Sequence, residues 1–139
     1  MSARVTANLQ IVQGGLVYQS QPSAFQPSVS GTNGPTPGAV TITTSGTDIS
    51  LAQLDAMGGL CVLCNIDSTN YVTVGIRDNV TNEFYPIVEL LPTEFYVVRL
   101  SRKLPKAEAG TGTFSGTRST LHAKADTANV ILRIDAFDP

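Results

Sequence analysis

Residues 120–137 read TLHAKADTANVILRIDAF, and their alternation decides the fold class. Leu121, Ala123 and Ala125 alternate with His122, Lys124 and Asp126. Past a turn at Thr127–Asn129, Val130, Leu132, Ile134 and Ala136 alternate with Ile131, Arg133, Asp135 and Phe137. A period of two belongs to a pleated strand with two distinct faces.

Working outward, the same short period recurs. Leu60–Ile66, Tyr71–Arg77, Glu83–Leu91 and Glu94–Leu100 read as strands, as does the β-branched run Ala39–Thr44. Pro86 confines its strand to an edge or a bulge, because proline has no N–H for a ladder. Asp67–Asn70 and Asp78–Asn82 are tight turns, read as hairpin connections, and such turns point to antiparallel pairing. Leu51–Met57 allows one short helical turn capped by Asp48 or Ser50. About eight short strands at this spacing predict an all-β domain, an antiparallel β-sandwich or a jelly-roll-like barrel.

The N-terminal third is different. Residues 3–12 and Leu16–Gln19 look like short strands broken by Gly14-Gly15, and a Pro/Gly-rich stretch follows to Gly38. We place a boundary there: residues 1–38 form either an N-terminal arm ordered by neighbouring molecules or edge strands of the same domain, and residues 39–139 form the sandwich. Lys103–Arg118 is a long Gly/Thr-rich loop, of the length that usually carries function or lacks order. Phe114 within it is either an anchor for a neighbouring subunit or a cap over the domain's own core.

Composition narrows the function. Of 139 residues, 42% are hydrophobic and only 14% are charged, where about 25% is usual. Such a surface is expected to face protein more than water. The net charge of −2 argues against nucleic acid, which demands clustered cations. The one basic cluster, Arg99, Arg102, Lys103 and Lys106, is short and reads as a solvated rim. No apolar run is long enough to cross a bilayer, and the N-terminus carries no signal-peptide core. Synthesis in a cytosol without general secretion is therefore expected.

Little in the chain is equipped for bond-breaking. Cys61 and Cys64 form a CxxC, but on a strand rather than a helix start, and with only His122 left as a nitrogen ligand. Free, packed thiols are expected. His122 lacks a nucleophile motif and reads as a sheet-face or interface residue. Glu83, Glu89 and Glu94 lie near strand ends as ordinary solvated charges. Tyr71, Tyr85 and Tyr96 lend modest support to a sugar-binding role. No cofactor and no metal site is expected.

Three segments carry a resemblance. They are Asn65-Ile66-Asp67-Ser68-Thr69-Asn70-Tyr71-Val72-Thr73-Val74-Gly75, then Leu91-Pro92-Thr93-Glu94 with Val97-Val98-Arg99-Leu100, then Leu121-His122-Ala123-Lys124-Ala125-Asp126-Thr127-Ala128. Together they resemble small β-rich structural proteins of tailed bacteriophages and prophages, over about residues 40–137. The resemblance implies a non-enzymatic virion component assembled in the host cytoplasm, as a head decoration or cement protein on the major capsid protein. It also implies a homo-oligomer with neither nucleic acid nor membrane as partner. A neck, tail or fibre-attachment protein is the alternative within that class, and a carbohydrate-binding module at a tail tip is the alternative outside it. The candidate contact residues are Val5, Leu9, Ile11, Tyr18 and Phe25 in the N-terminal region, with Phe114 in the long loop.

Overall fold

The computed structural model describes residues 9–20, 34–102 and 119–139. Its strands are β1 (Leu9–Gln13), β2 (Leu16–Ser20), β3 (Thr36–Ile42), β4 (Thr47–Asp48) and β5 (Leu60–Asn65). They continue as β6 (Val72–Asp78), β7 (Phe84–Leu90), β8 (Phe95–Arg99), β9 (Ser119–Ala125) and β10 (Val130–Ala136). β1 and β2 pair with each other across Gly14-Gly15, and the remaining strands form two four-stranded sheets ordered β3-β10-β5-β8 and β4-β9-β6-β7. All pairings are antiparallel. From β3 onward the chain changes sheet at every connection except β6–β7. Eight strands in this order are a jelly roll.

The alternation read from the sequence is the alternation of burial. Leu132 and Ile134 on β10, Cys61 and Leu63 on β5, and Ile42 on β3 meet Val72 and Val74 on β6 and Ala123 and Ala125 on β9 in one core. Leu90 closes it from β7. Removing such side chains from water contributes about 25 cal/mol per Å² of apolar surface, the main term holding the two layers together.

The structure departs from expectation in three places. First, Asp67–Asn70 is not a hairpin turn: it carries the chain from β5 in one sheet to β6 in the other. A short turn fits either connection, because packed sheets lie only about 10 Å apart. Asp78–Asn82 does join the hairpin β6–β7. Second, the sandwich begins at Thr36, slightly before the boundary at residue 38, with Pro37 and Gly38 inside β3. Pro37 fits because β3 is an edge strand, paired on one side only, by β10. Third, Leu51–Met57 forms turns and bends without a helix. The Leu54 N–H donates to the Leu51 carbonyl, and buried Asp138 accepts from the Asp55 and Ala56 amides at 2.9 and 3.3 Å. Asp48, one of the two expected caps, lies in β4 instead.

Pro86 takes both positions foreseen for it. β7 is an edge strand, and the register slips between Val74 and Gly75. Gly75 pairs with Pro86 and Val74 with Val88, so Ile87 bulges out and is 71% exposed. A Cβ at residue 75 would overlap the Tyr85 carbonyl, so the bulge requires glycine there.

Candidate interaction surface

The outer face of the β3-β10-β5-β8 sheet exposes a group of large apolar side chains. Register fixes its rows: Phe95, Cys64, Arg133 and Ala39 lie in line across the four strands, as do Val97, Val62, Asp135 and Pro37. Phe95 is 69% exposed, and Val97, Ile66 and Ile131 are also exposed. Val62 and Cys64 are half-buried between them. At the strand positions of this face the charges are Arg99, Arg133 and Asp135. The last two pair with each other at 2.8 Å, and Arg99 donates to the Gly58 carbonyl at 2.9 Å. Aromatic and aliphatic side chains flanked by internally paired charges form the kind of patch that marks protein contact.

The segments that carry the resemblance converge at one end of the sandwich. Asn65 is fully buried at the end of β5 and donates through Nδ2 to the carbonyls of Asn70, Leu90 and Leu91 at 2.9, 3.1 and 3.2 Å. Its Oδ1 accepts from the Asp67 amide. Asp67 Oδ1 in turn accepts from the amides of Thr69 and Asn70 at 2.8 and 2.6 Å. Those bonds, the Asn70 amide first, hold the Asp67 carboxyl below its ordinary pKa. The Asp67 carbonyl accepts from Thr93, Glu94 accepts from the Leu91 amide, and the Thr127 hydroxyl donates to Asn70 Oδ1. The motif residues are thus a knot tying the β5–β6, β7–β8 and β9–β10 turns. Their pattern in the sequence is the signature of a scaffold.

The opposite outer face carries the polar cluster around His122. His122 Nδ1 donates to Asp48 Oδ1 at 2.7 Å, and Asp48 Oδ2 accepts from Arg77 Nη2 at 2.7 Å. His122 is only 5% exposed, and its ring stands edge-on to Phe84 with ring centroids 5.1 Å apart. Gly46, at φ +98°, sits over Nε2 so closely that a Cβ there would overlap the ring nitrogen. Among the described residues, no hydroxyl or thiol is hydrogen-bonded to the imidazole. The arrangement braces β4 onto β9 and β6. Sequence alternation placed His122 on a sheet face; the cover given by Gly46 and Phe84 comes from the β3–β4 turn and from β7, and left no local signal.

The two cysteines are free and point to opposite faces of β5, Cys61 into the core and Cys64 outward. Burial, then Asp135, pushes the Cys61 thiol up to about 12. Among the described residues, no three His, Cys, Asp or Glu side chains gather as metal ligands. Glu83 accepts a hydrogen bond from Tyr85 and Glu94 caps a turn, so both are tied to local structure. Tyr85 and Tyr96 are exposed on strands of different sheets, whereas Tyr71 is half-buried, its hydroxyl pKa raised chiefly by Asp126. A cavity of about 490 Å³ is bordered by Leu51, Leu54, Met57 and Leu121, with Arg102 and Thr120 at its rim.

Of the contact residues expected from sequence, Leu9 and Ile11 lie on β1 and Tyr18 on β2, with Ile11 opposite Tyr18. Val5, Phe25, Phe114, the long loop Lys103–Arg118, and the basic residues Lys103 and Lys106 lie outside the described residues. Sequence reading missed the apolar outer face. Its signal was present in the consecutive apolar residues of Leu60–Cys64 and Phe95–Val98, which leave neither side of the strand polar.

Comparison with protein-family models, with curated proteins and with solved structures finds no match to the chain.

Proposed function

We propose that this chain is a non-enzymatic structural subunit of a tailed bacteriophage particle, a head decoration or cement protein that bridges neighbouring capsid subunits. The observation that carries the reading is the apolar outer sheet face around Phe95, Cys64, Ile66 and Ile131, a surface suited to burial against protein. The resemblance of the three turn-knot segments to phage structural proteins supplies the setting. A jelly roll by itself serves many functions and adds no weight.

The test is the copy number of the chain in purified particles, by quantitative mass spectrometry against the major capsid protein. A ratio near one, or another large lattice fraction, is expected. A few dozen copies or fewer would move the protein to the neck or tail, and absence from particles would overturn the structural reading. The exposed rings of Tyr85 and Tyr96 favour carbohydrate binding as the second reading. A glycan array without binding at high micromolar protein removes it.

A further inference from the structure

The sandwich has four sheet edges, formed by β3, β8, β4 and β7. Exposed edges invite pairing with other chains, and proteins close them with proline, bulges or short strands. β3 carries Pro37, β4 is only two residues long, and β7 carries Pro86 and the Ile87 bulge. β8, Phe95-Tyr96-Val97-Val98-Arg99, has no such device.

The hydrogen-bond phase of β8 shows what it offers. The Glu94 carbonyl accepts from Asn65 and the Leu100 amide donates to Gly59, both toward β5. In an antiparallel ladder, residues alternate between bonding one neighbour and bonding the other. Tyr96 and Val98 therefore aim their backbone groups at β5, and Phe95 and Val97 aim theirs off the sheet. No described strand pairs with that side.

We propose that β8 pairs antiparallel with β8 of a second copy, about a two-fold axis at Tyr96. Phe95 then forms hydrogen-bonded pairs with Val97 of the second copy, and the reverse pair forms by symmetry. Aromatic and β-branched residues opposite one another are favourable cross-strand partners. A second copy is the occupant because the added strand must itself have an open edge: of the four sandwich edges β8 alone lacks a proline, a bulge or a two-residue length, and pairing like edge with like closes the contact by symmetry. The contact is isologous and closes as a dimer without propagating. It joins two four-stranded sheets into one of eight strands and makes the two apolar outer faces continuous. The dimer does not depend on the phage reading, and a purified monomer would leave that reading untouched.

The experiment is sedimentation velocity on the full chain across a concentration series, with hydrogen exchange of the Phe95 and Val97 amides. Two variants accompany it: Val97→Pro, which removes an edge donor without touching the β5 ladder, and Phe95→Lys, which puts a charge opposite Val97. A dimer with protected amides is expected, and each variant that keeps the native circular dichroism should dimerise at least about tenfold more weakly. If Val97→Pro does not fold, Phe95→Lys decides. A folded variant that dimerises as tightly as the parent overturns the proposal, because the interface then lies elsewhere. A wild-type monomer also overturns it: protected amides would mean that the chain's own residues cover the edge, and fast exchange that the edge awaits a different protein.

Discussion

Asn65 Nδ2 lies 2.9 Å from the Asn70 carbonyl oxygen, and through this contact the end of β5 is fastened to the start of β6 in the opposite sheet. The same amide also serves Leu90 and Leu91, so its loss strands several carbonyls at once. Each buried group left unpaired costs about 1–3 kcal/mol. Asn65→Ala is expected to destabilise the fold by about 3 kcal/mol, and Asn65→Asp by more, since a carboxylate would face three carbonyl oxygens. Urea titration should show a lower midpoint at unchanged slope.

Asp67 has a folded-state pKa below its ordinary 3.8, with Asn70 and Thr69 amides as the cause. A depressed carboxyl stabilises the fold fully above its unfolded pKa, and that contribution disappears as pH falls through the folded one. Stability should therefore decline with acidification below about pH 4, and Asp67→Asn should flatten that part of the profile. Carboxyl ¹³C shifts followed against pH should place the Asp67 midpoint below 3.8.

Cys61 and Cys64 should differ sharply in reactivity. With its pKa near 12 and its side chain in the core, Cys61 stays a protonated thiol at neutral pH. A thiol reagent under native conditions should modify Cys64 alone, and both only after unfolding. Because the folded pKa is raised, its stabilising contribution is complete below the unfolded value of 9.0 and is lost as pH rises toward 12. Intact-mass measurement after a timed alkylation reads the first effect, and alkaline denaturation curves of the Cys61→Ala variant read the second.

Gly46→Ala and Gly75→Ala test the two close approaches. At Gly46 alanine is strained by the positive φ and meets His122; at Gly75 it meets the Tyr85 backbone. Each should cost at least about 2 kcal/mol. Replacing Gly46 should also shift the His122 ring resonances, because it presses directly on Nε2.

The alternation in residues 120–137 recurs in the burial of β9 and β10, since a period of two is set by the backbone itself. His122 on β9 is the exception, because Gly46 and Phe84 cover it. Pro86 announced an edge or bulge for the equally local reason that it lacks a donor. What alternation does not encode is which strand lies beside which. β9 and β10 read as consecutive strands around a short turn, yet each pairs with distant strands in a different sheet. Asp48 likewise looked like a helix cap from its neighbours, and its partners His122 and Arg77 come from β9 and β6. Long-range pairing decided those residues, and no local pattern reports it.

The strand order has a consequence for how the molecule comes into being. β10 lies between β3 and β5, and β9 lies between β4 and β6, so the latest strands occupy interior places in both sheets. A nascent chain emerging from the ribosome holds β3 through β8 with no means of closing either layer until β9 and β10 follow. Folding therefore waits on the synthesis of β9 and β10, under the long loop closures that slow β-rich topologies. A product truncated before residue 130 lacks the strand that joins β3 to β5, and the cell meets it as a target for chaperones and proteases.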